Sequence, residues 1–235
     1  MSTEKEYEKT SYSTVGGRLK SRAIYDKETI HGIINSALVV NVAFIDEEGL
    51  PALIPMNGQI EEDDDGPYVL LHGYQNGRFI KHCSKPNTRL VVSATQVHGR
   101  VLGLAAKAHS YNYLSAVVHG YADEPVEKHD LETKRVLSEK IVNHIVPGRW
   151  EEVRKPTDTE TYEVGFIKMR IEAASAKQRN AGPGDYPSDI DNEELRSRVW
   201  AGVIPLECSY GTPQPAPYNL VDKPKAYWGD RAPSL

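Results

Sequence analysis

The stretch Pro67 to Ser93 (PYVLLHGYQNGRFIKHCSKPNTRLVVS) constrains the fold most, because its residue pattern changes character twice in a short span. Tyr68, Val69, Leu70 and Leu71 form an apolar, β-favouring run suited to a buried strand. His72-Gly73 is expected to end it, and Tyr74-Gln75-Asn76-Gly77 carries the turn chemistry of Asn and Gly. Asn76 is placed to cap a short helix containing Arg78, Phe79, Ile80 and Lys81. Pro86-Asn87 stops that helix, and Leu90, Val91 and Val92 begin another strand. A helix start presents unpaired N–H groups, and Arg78 and Lys81 would add two cations on one face. That arrangement fits a grip on a phosphate monoester, and it also fits two solvated surface cations.

The rest of the chain repeats the strand-and-turn theme. Asp26 is a good N-cap for a helix whose Ile30, Ile33, Ile34, Ala37 and Leu38 form one apolar stripe. Leu38 to Ile45 reads as a central strand, and Asp46-Glu47-Glu48-Gly49 as a hairpin turn. Leu50 to Ile60 returns, with Pro51 and Pro55 demanding an edge, a bulge or a rim. Glu61 to Gly66 is a second turn, whose acids lack calcium-loop spacing. Leu90 to Val97 and Arg100 to Ala106 are expected as a hairpin around His98-Gly99, followed by a strand at Leu114 to Ala122. Glu127 to Val146 is the longest helix candidate, with Leu131, Leu137, Ile141 and Ile145 buried and its Lys and Glu residues elsewhere. The loop Pro147 to Thr157 gathers Arg149, Trp150 and Arg154, which suits either a docking place or a tryptophan filling a core gap. A strand at Glu163 to Ala174, a helix capped by Asp191 and a strand at Trp200 to Leu206 complete the domain. Strands joined mostly by hairpins, with few helices, predict a mainly β (α+β) chain built on a six- to eight-stranded antiparallel barrel. Residues 1–17 are expected as a loose arm, 18–206 as the domain and 207–235 as an extended Pro-rich arm carrying Tyr210, Tyr218, Tyr227 and Trp228.

Several function classes are excluded. A net charge of −5 without a basic tract argues against nucleic acid as the main partner. Cys83 and Cys208 make neither a disulfide framework nor a metal pair. The first fourteen residues are charged and hydroxylated and no apolar run approaches a membrane span, so a cytoplasmic protein is expected. There is no phosphate-binding Gly-rich loop, no nucleophile elbow and no metal spacing among the eight histidines. His72 and His119, each followed by Gly at an expected strand end, could meet in space. Any catalysis must therefore reside in a bound cofactor.

Taken in order, IPMN (Ile54 to Asn57), His72-Gly73, Arg78 and Lys81, YNYLSAVVHGYA (Tyr111 to Ala122), HIVPGRWEEVRKPT (His144 to Thr157), SAKQR (Ser175 to Arg179) and WAGVIPL (Trp200 to Leu206) resemble one family. It is the FMN-binding split-barrel superfamily of pyridoxamine 5′-phosphate oxidase, and within it the branch that includes nitroimidazole-resistance proteins. The resemblance implies a split barrel with FMN at a homodimer interface. It implies that Arg78 and Lys81 hold the FMN phosphate and that Ile54, Pro55 and Met56 line the ring, with His72 and Gly73 beside them. Ser93 and Ser115 would border ring or phosphate, Lys177 and Arg179 would contribute across the dimer, and Trp150 would form a lid. Gly77-Arg78-Phe79 replaces the Ser-Arg-Lys run of pyridoxamine phosphate oxidases, and their C-terminal Arg/His signature is absent, so vitamin B6 oxidation is not expected. The expected activity is FMN-dependent oxidoreduction of a small organic substrate, linked to NAD(P)H. The alternatives are a flavin-binding module without turnover, a haem-binding relative using His72 or His119, and non-redox chemistry in the same barrel.

Overall fold

The structure, a computed structural model, describes residues 5–14 and 20–221. After a 3-10 turn at Lys20–Arg22 come β1 (Ala23–Ile24), α1 (Lys27–Ser36), β2 (Val40–Ile45), β3 (Pro51–Met56), β4 (Gly58–Asp63) and β5 (Gly66–Tyr74). Then follow α2 (Arg78–Cys83), β6 (Arg89–Leu102), β7 (Ser110–Ala122), α3 (Leu131–Ile145), α4 (Arg149–Glu152) and α5 (Asp158–Glu163). The last elements among the described residues are β8 (Val164–Arg179), α6 (Pro187–Ile190), α7 (Glu193–Arg198) and β9 (Gly202–Pro205). All strand pairs are antiparallel, in the order β3-β2-β6-β7-β8-β5-β4, with β1 on β8 and β9 on β6. The two borders of this path, β3 and β4, are consecutive strands joined through Asn57 and not paired with each other. That is a split barrel, the fold class expected from the sequence. The prolines of β3 explain its place, since a strand with two missing N–H groups is tolerated at a border.

Alternation along the strands separates a core side from an outer side. Val40, Val42, Leu90, Val92, Ala94, Ala116, Val118, Val69 and Leu71 enter one core, which α1 closes with Ile30, Ile33 and Ile34. Asp26 caps α1 by accepting from the Thr29 N–H (2.8 Å). Asn35 covers the free border of β4, accepting from the Ile60 N–H (2.6 Å) and donating to the Ile60 carbonyl (3.2 Å). Such cover blunts an edge that would otherwise offer unpaired backbone groups. Tyr68, Leu70 and Phe166, on the other side of β5 and β8, pack against Leu137 and Ile141 of α3.

Several expectations are corrected. His72-Gly73 does not end its strand, because β5 continues to Tyr74 in register with β8. The N-cap of α2 is Gly77, not Asn76, and no side chain caps it. His98-Gly99 is not a hairpin turn but a bulge inside one fourteen-residue strand. A Cβ on Gly99 would approach the Ile204 carbonyl oxygen to 2.8 Å, so glycine lets β9 lie against β6 there. SAKQR does not follow its strand but forms the last five residues of β8, which runs on past Ala174 to Arg179. Helix α1 stops at Ser36, leaving Leu38 exposed, and Ile145 of the expected α3 stripe is also exposed. Lys134, expected on a solvated side of α3, is fully buried: its Nζ donates to Gln75 Oε1 (2.7 Å) and to the Tyr162 carbonyl (3.1 Å). The cap of α7 is Asn192, not Asp191, and α5 was not anticipated although Thr157 and Glu160 form a capping box before it. The described part of the N-terminal segment is no loose arm: Tyr7 is buried and its N–H donates to the Tyr25 carbonyl (2.9 Å). At the other end Tyr210 and Tyr218 are exposed, while Tyr227 and Trp228 lie outside the described residues.

One ion-pair cluster ties the β4–β5 turn to β8. Arg170 donates to Asp63 Oδ1 (2.5 Å) and Oδ2 (2.9 Å), to Asp123 (2.6 Å) and to the Gly66 carbonyl (3.1 Å), and Lys168 adds a bond to Asp63 (3.2 Å). The Arg170 guanidinium holds the Asp63 carboxyl down to about 2. A carboxyl with a lowered folded pKa contributes its stability above the unfolded value, and loses it as pH falls through the folded one. The contribution is therefore complete above roughly pH 4 and gone near pH 2. Urea midpoints measured from pH 7 downward should fall across that window. Asp63→Asn should be less stable at neutral pH and show a shallower acid decline; identical pH profiles would remove the clamp from the account.

Candidate functional site

Side chains pointing away from the core on β3, β2, β6, β7 and β8 form one outer face, half-buried to exposed over most of its area, with Ser175 and Ala173 of β8 buried and the Tyr12 ring packed on His119. Pro55, Asn41, Ser93, Val117 and Ser175 stand in one register row across the five strands. Thr95, Ser115 and Lys177 make the next row, and Leu53, Ala43, Val91, His119 and Ala173 the row on the other side. The side chains are small or hydroxylated over most of this area, so the surface is flat and offers both donors and acceptors. Ile54 and Met56 turn inward, opposite Val42 and Val40. On β3 the face therefore presents backbone, Pro55 and Leu53.

Helix α2 stands at the foot of this face because a pair of glycines makes room for it. Gly73 of β5 lies opposite Gly165 of β8, and Ile80 packs on both. A Cβ on Gly165 would come within 2.5 Å of Ile80 Cγ2, and one on Gly73 within 3.3 Å of Ile80 Cγ1. Phe79 packs on Phe44 of β2 (ring centroids 5.5 Å), and His82 Nε2 bonds the Ile45 carbonyl (2.7 Å). Arg78 reaches the β2–β3 turn, donating to Asp46 Oδ2 (2.8 Å) with its side chain 67% exposed. Asp46 also accepts from the Glu48 and Leu50 N–H groups (both 2.9 Å), and these bonds with the Arg78 charge hold its carboxyl below the usual range. Lys81 is exposed and its side chain has no hydrogen bond or ion pair among the described residues. Asp46 lies five residues along from Asn41, the partner of Ser93, or about 16 Å at strand rise. A lone phosphate does not bridge that interval; an elongated nucleotide does.

The structure thus gathers Pro55, Ser93, Ser115 and Lys177 on one face, with Arg78 and Lys81 at its foot. Other expected residues lie elsewhere. His72 shares the side of Tyr68 and Leu70, toward the α3 layer, and burial pushes its imidazole below the ordinary pKa. Its Nδ1 is buried and has no hydrogen-bond partner among the described residues. His72 and His119 do not meet: they pair with Phe166 and Ala173, seven residues apart on β8, or roughly 23 Å. Trp150 is buried beside α3, its backbone N–H donating to Asn143 Oδ1 (3.0 Å) and its ring covered by Lys155 (4.6 Å). Arg179 is buried by its own chain's loop, bonded to Asn112 and to two carbonyls. Sequence reasoning missed Asn41 and Asp46. A lone Asn inside the apolar run LVVNVAFI was a signal for the first, whereas Asp46 read only as a turn residue.

The residues on this face fit a flavin: small hydroxyl and amide groups suit the polar edge of a flat ring, and two exposed cations suit a phosphate. No helix among the described residues is long and apolar enough to cross a membrane, and none of their His, Cys, Asp and Glu side chains cluster as a metal site.

Comparison with known proteins supplies a family. No curated protein matches the chain. Among solved structures, the flavocytochrome Anf3 from Azotobacter vinelandii superposes with a TM-score of 0.76 at 27% identity, covering 90% of this chain and 92% of its own. The FAD and heme binding protein from Mycobacterium smegmatis has a TM-score of 0.74 at 23% identity, over 86% and 93% of the two chains. A candidate 5-nitroimidazole antibiotic resistance protein from Bacteroides thetaiotaomicron reaches 0.52 at 26% identity, over 66% and 85%. The model of the pyridoxamine 5′-phosphate oxidase family matches residues 26–178, and the chain with its split barrel belongs to that family.

Proposed function

We propose that the protein is a flavin-dependent oxidoreductase, with FMN as the working cofactor, acting on a small organic substrate with NAD(P)H as electron source. The observation that carries this reading is the flat face of Pro55, Asn41, Ser93, Ser115 and Lys177 with Arg78 and Lys81 at its foot, in a chain of this family. Arg78 and Lys81 would hold the phosphate, Arg78 exchanging its bond to Asp46 for one to the ligand. Ser93, Ser115 and Asn41 would orient the ring, and the β3 backbone at Ile54 to Met56 would border it. Lys177, a cation in the upper row, would favour the ring's reduced, anionic form. Once bound, the flavin supplies hydride chemistry that none of the side chains can perform alone. The exposed part of this face, where Leu53 is 63% exposed, is the surface a second copy would bury, which supports a homodimer. Both cysteines are free, which suits a reducing, cytoplasmic setting.

The absorption spectrum of the purified protein tests this directly. A flavin spectrum bleached by NAD(P)H is expected, in a protein that light scattering shows as a dimer. Flavin released by heating identifies FMN or FAD. A colourless protein that gains no colour with either would end the reading, and bound flavin without acceptor-dependent NAD(P)H consumption would reduce it to a binding module.

A haem reading has one observation in its favour. A neutral buried imidazole with an unpartnered nitrogen is what an axial ligand requires, and His72 provides one. Of the similar proteins, the one from Azotobacter is a flavocytochrome and the one from Mycobacterium an FAD and heme binding protein. A Soret band lost in His72→Ala would establish it; no Soret band after haem addition would dismiss it.

A further inference from the structure

At the end of the barrel away from α2, a cavity of about 310 Å³ opens between the turn before β1, the β6–β7 loop and the loop after β8. Arg22, Lys107, His109 and Arg179 line it, with Ser110 and Tyr186, and no carboxylate is among its lining residues. Arg179 is built in rather than draped over the surface, at 7% exposure. Its Nη1 donates to Asn112 Oδ1 (2.5 Å) and the Ala181 carbonyl (2.8 Å), and its Nη2 to the Gly182 carbonyl (2.7 Å). All of these acceptors are neutral. A guanidinium has five N–H groups, so two remain beyond these bonds. Asp185, the carboxylate of the same loop, accepts instead from the Leu104 N–H (2.8 Å) and pairs with no cation among the described residues. Lys107 donates to the Tyr186 hydroxyl (2.7 Å), again a neutral partner.

A nearly buried arginine beside two further cations, without a counter-charge among the described residues, is costly unless an anion completes the site. The positive charge of Arg22 lies close enough to depress the Arg179 pKa, after the larger effect of burial. We infer that this cavity binds the phosphate group of a small phosphorylated ligand, gripped by Arg22, Lys107 and Arg179, as a site distinct from the cations of α2. The volume lies in the range of small-ligand sites and leaves room for an organic moiety beside Tyr186. Phosphate is favoured over a carboxylate because three cations converge and guanidinium forks match its several oxygens.

The site is independent of flavin binding and is tested in a background where the α2 cations are gone. Inorganic phosphate is titrated calorimetrically into Arg78→Ala/Lys81→Ala protein, and acetate at equal ionic strength serves as the carboxylate arm. Phosphate is expected to bind there, and adding Arg22→Gln/Lys107→Gln should weaken it at least tenfold. The conservative pair Arg22→Lys/Lys107→Arg should retain binding, which separates lost charge from lost fold. Undiminished binding in the glutamine variant would overturn the site, as would abolition of binding by Arg78→Ala/Lys81→Ala alone. Acetate binding as tight as phosphate would overturn the ligand class.

Discussion

Gly120→Ala is expected to lower the unfolding free energy by about 3 kcal/mol or more, a large fraction of a domain's stability. Gly120 sits where the β7–β8 register shifts, and a Cβ there would lie 1.9 Å from the Arg170 carbonyl oxygen and 3.1 Å from Met169 Cε. Backbone on the neighbouring strand has nowhere to retreat without breaking the ladder. Arg170 also carries the bonds to Asp63 and Asp123, so a displaced β8 would disturb the clamp on the β4–β5 turn. Urea denaturation measures the effect. Gly32→Ala is the control, because an added Cβ there meets nothing within 4 Å in the middle of α1. That control should stabilise by about 0.5–1 kcal/mol. A Gly120→Ala protein as stable as the parent would mean the strands are further apart than described.

Arg78→Ala/Lys81→Ala should reduce flavin affinity by roughly a hundredfold. Hydrogen bonds to charged groups contribute about 1.5–3 kcal/mol each, and about 2.7 kcal/mol corresponds to that factor. The two positions are not equal. Arg78 already has Asp46 at 2.8 Å and must exchange it, whereas Lys81 has no such competitor among the described residues. Lys81→Ala alone should therefore weaken binding more than Arg78→Ala alone. Both side chains are exposed, so thermal stability without flavin should be unchanged. Flavin fluorescence titration gives the affinities, and full retention in the double variant would place the phosphate elsewhere.

Much of the fold was legible in the sequence because hairpin strands announce themselves locally. Asp26 before the Ile30-Ile33-Ile34 stripe, the Asp46 to Gly49 turn and the prolines of a border strand each depend on near neighbours alone. What misled was glycine serving distant contacts. His98-Gly99 has turn composition, yet Gly99 is required by β9, more than one hundred residues later. His72-Gly73 looked like a strand end, whereas Gly73 and Gly165 together admit Ile80. Lys134 was unreadable for a related reason: its partners Gln75 and Tyr162 come from two other segments. The face with Ser93, Ser115 and Lys177 was reached through family resemblance, and periodicity alone did not single it out. The register explains it afterwards, since all three project opposite to the buried Ala94, Ala116 and Ala176.

The seam at Asn57 has a consequence for motion. Since β3 and β4 are neighbours in the chain but not in the ladder, widening the gap between them ruptures no interstrand bond. Rotation about a few backbone torsions at Met56-Asn57-Gly58 is enough, although Gly58 wedges between Val40 and Leu71 and limits how far the corner can flex. The same three residues adjoin the border that would meet the ring. Breathing of the barrel and the fit of whatever rests against β3 are therefore mechanically one degree of freedom.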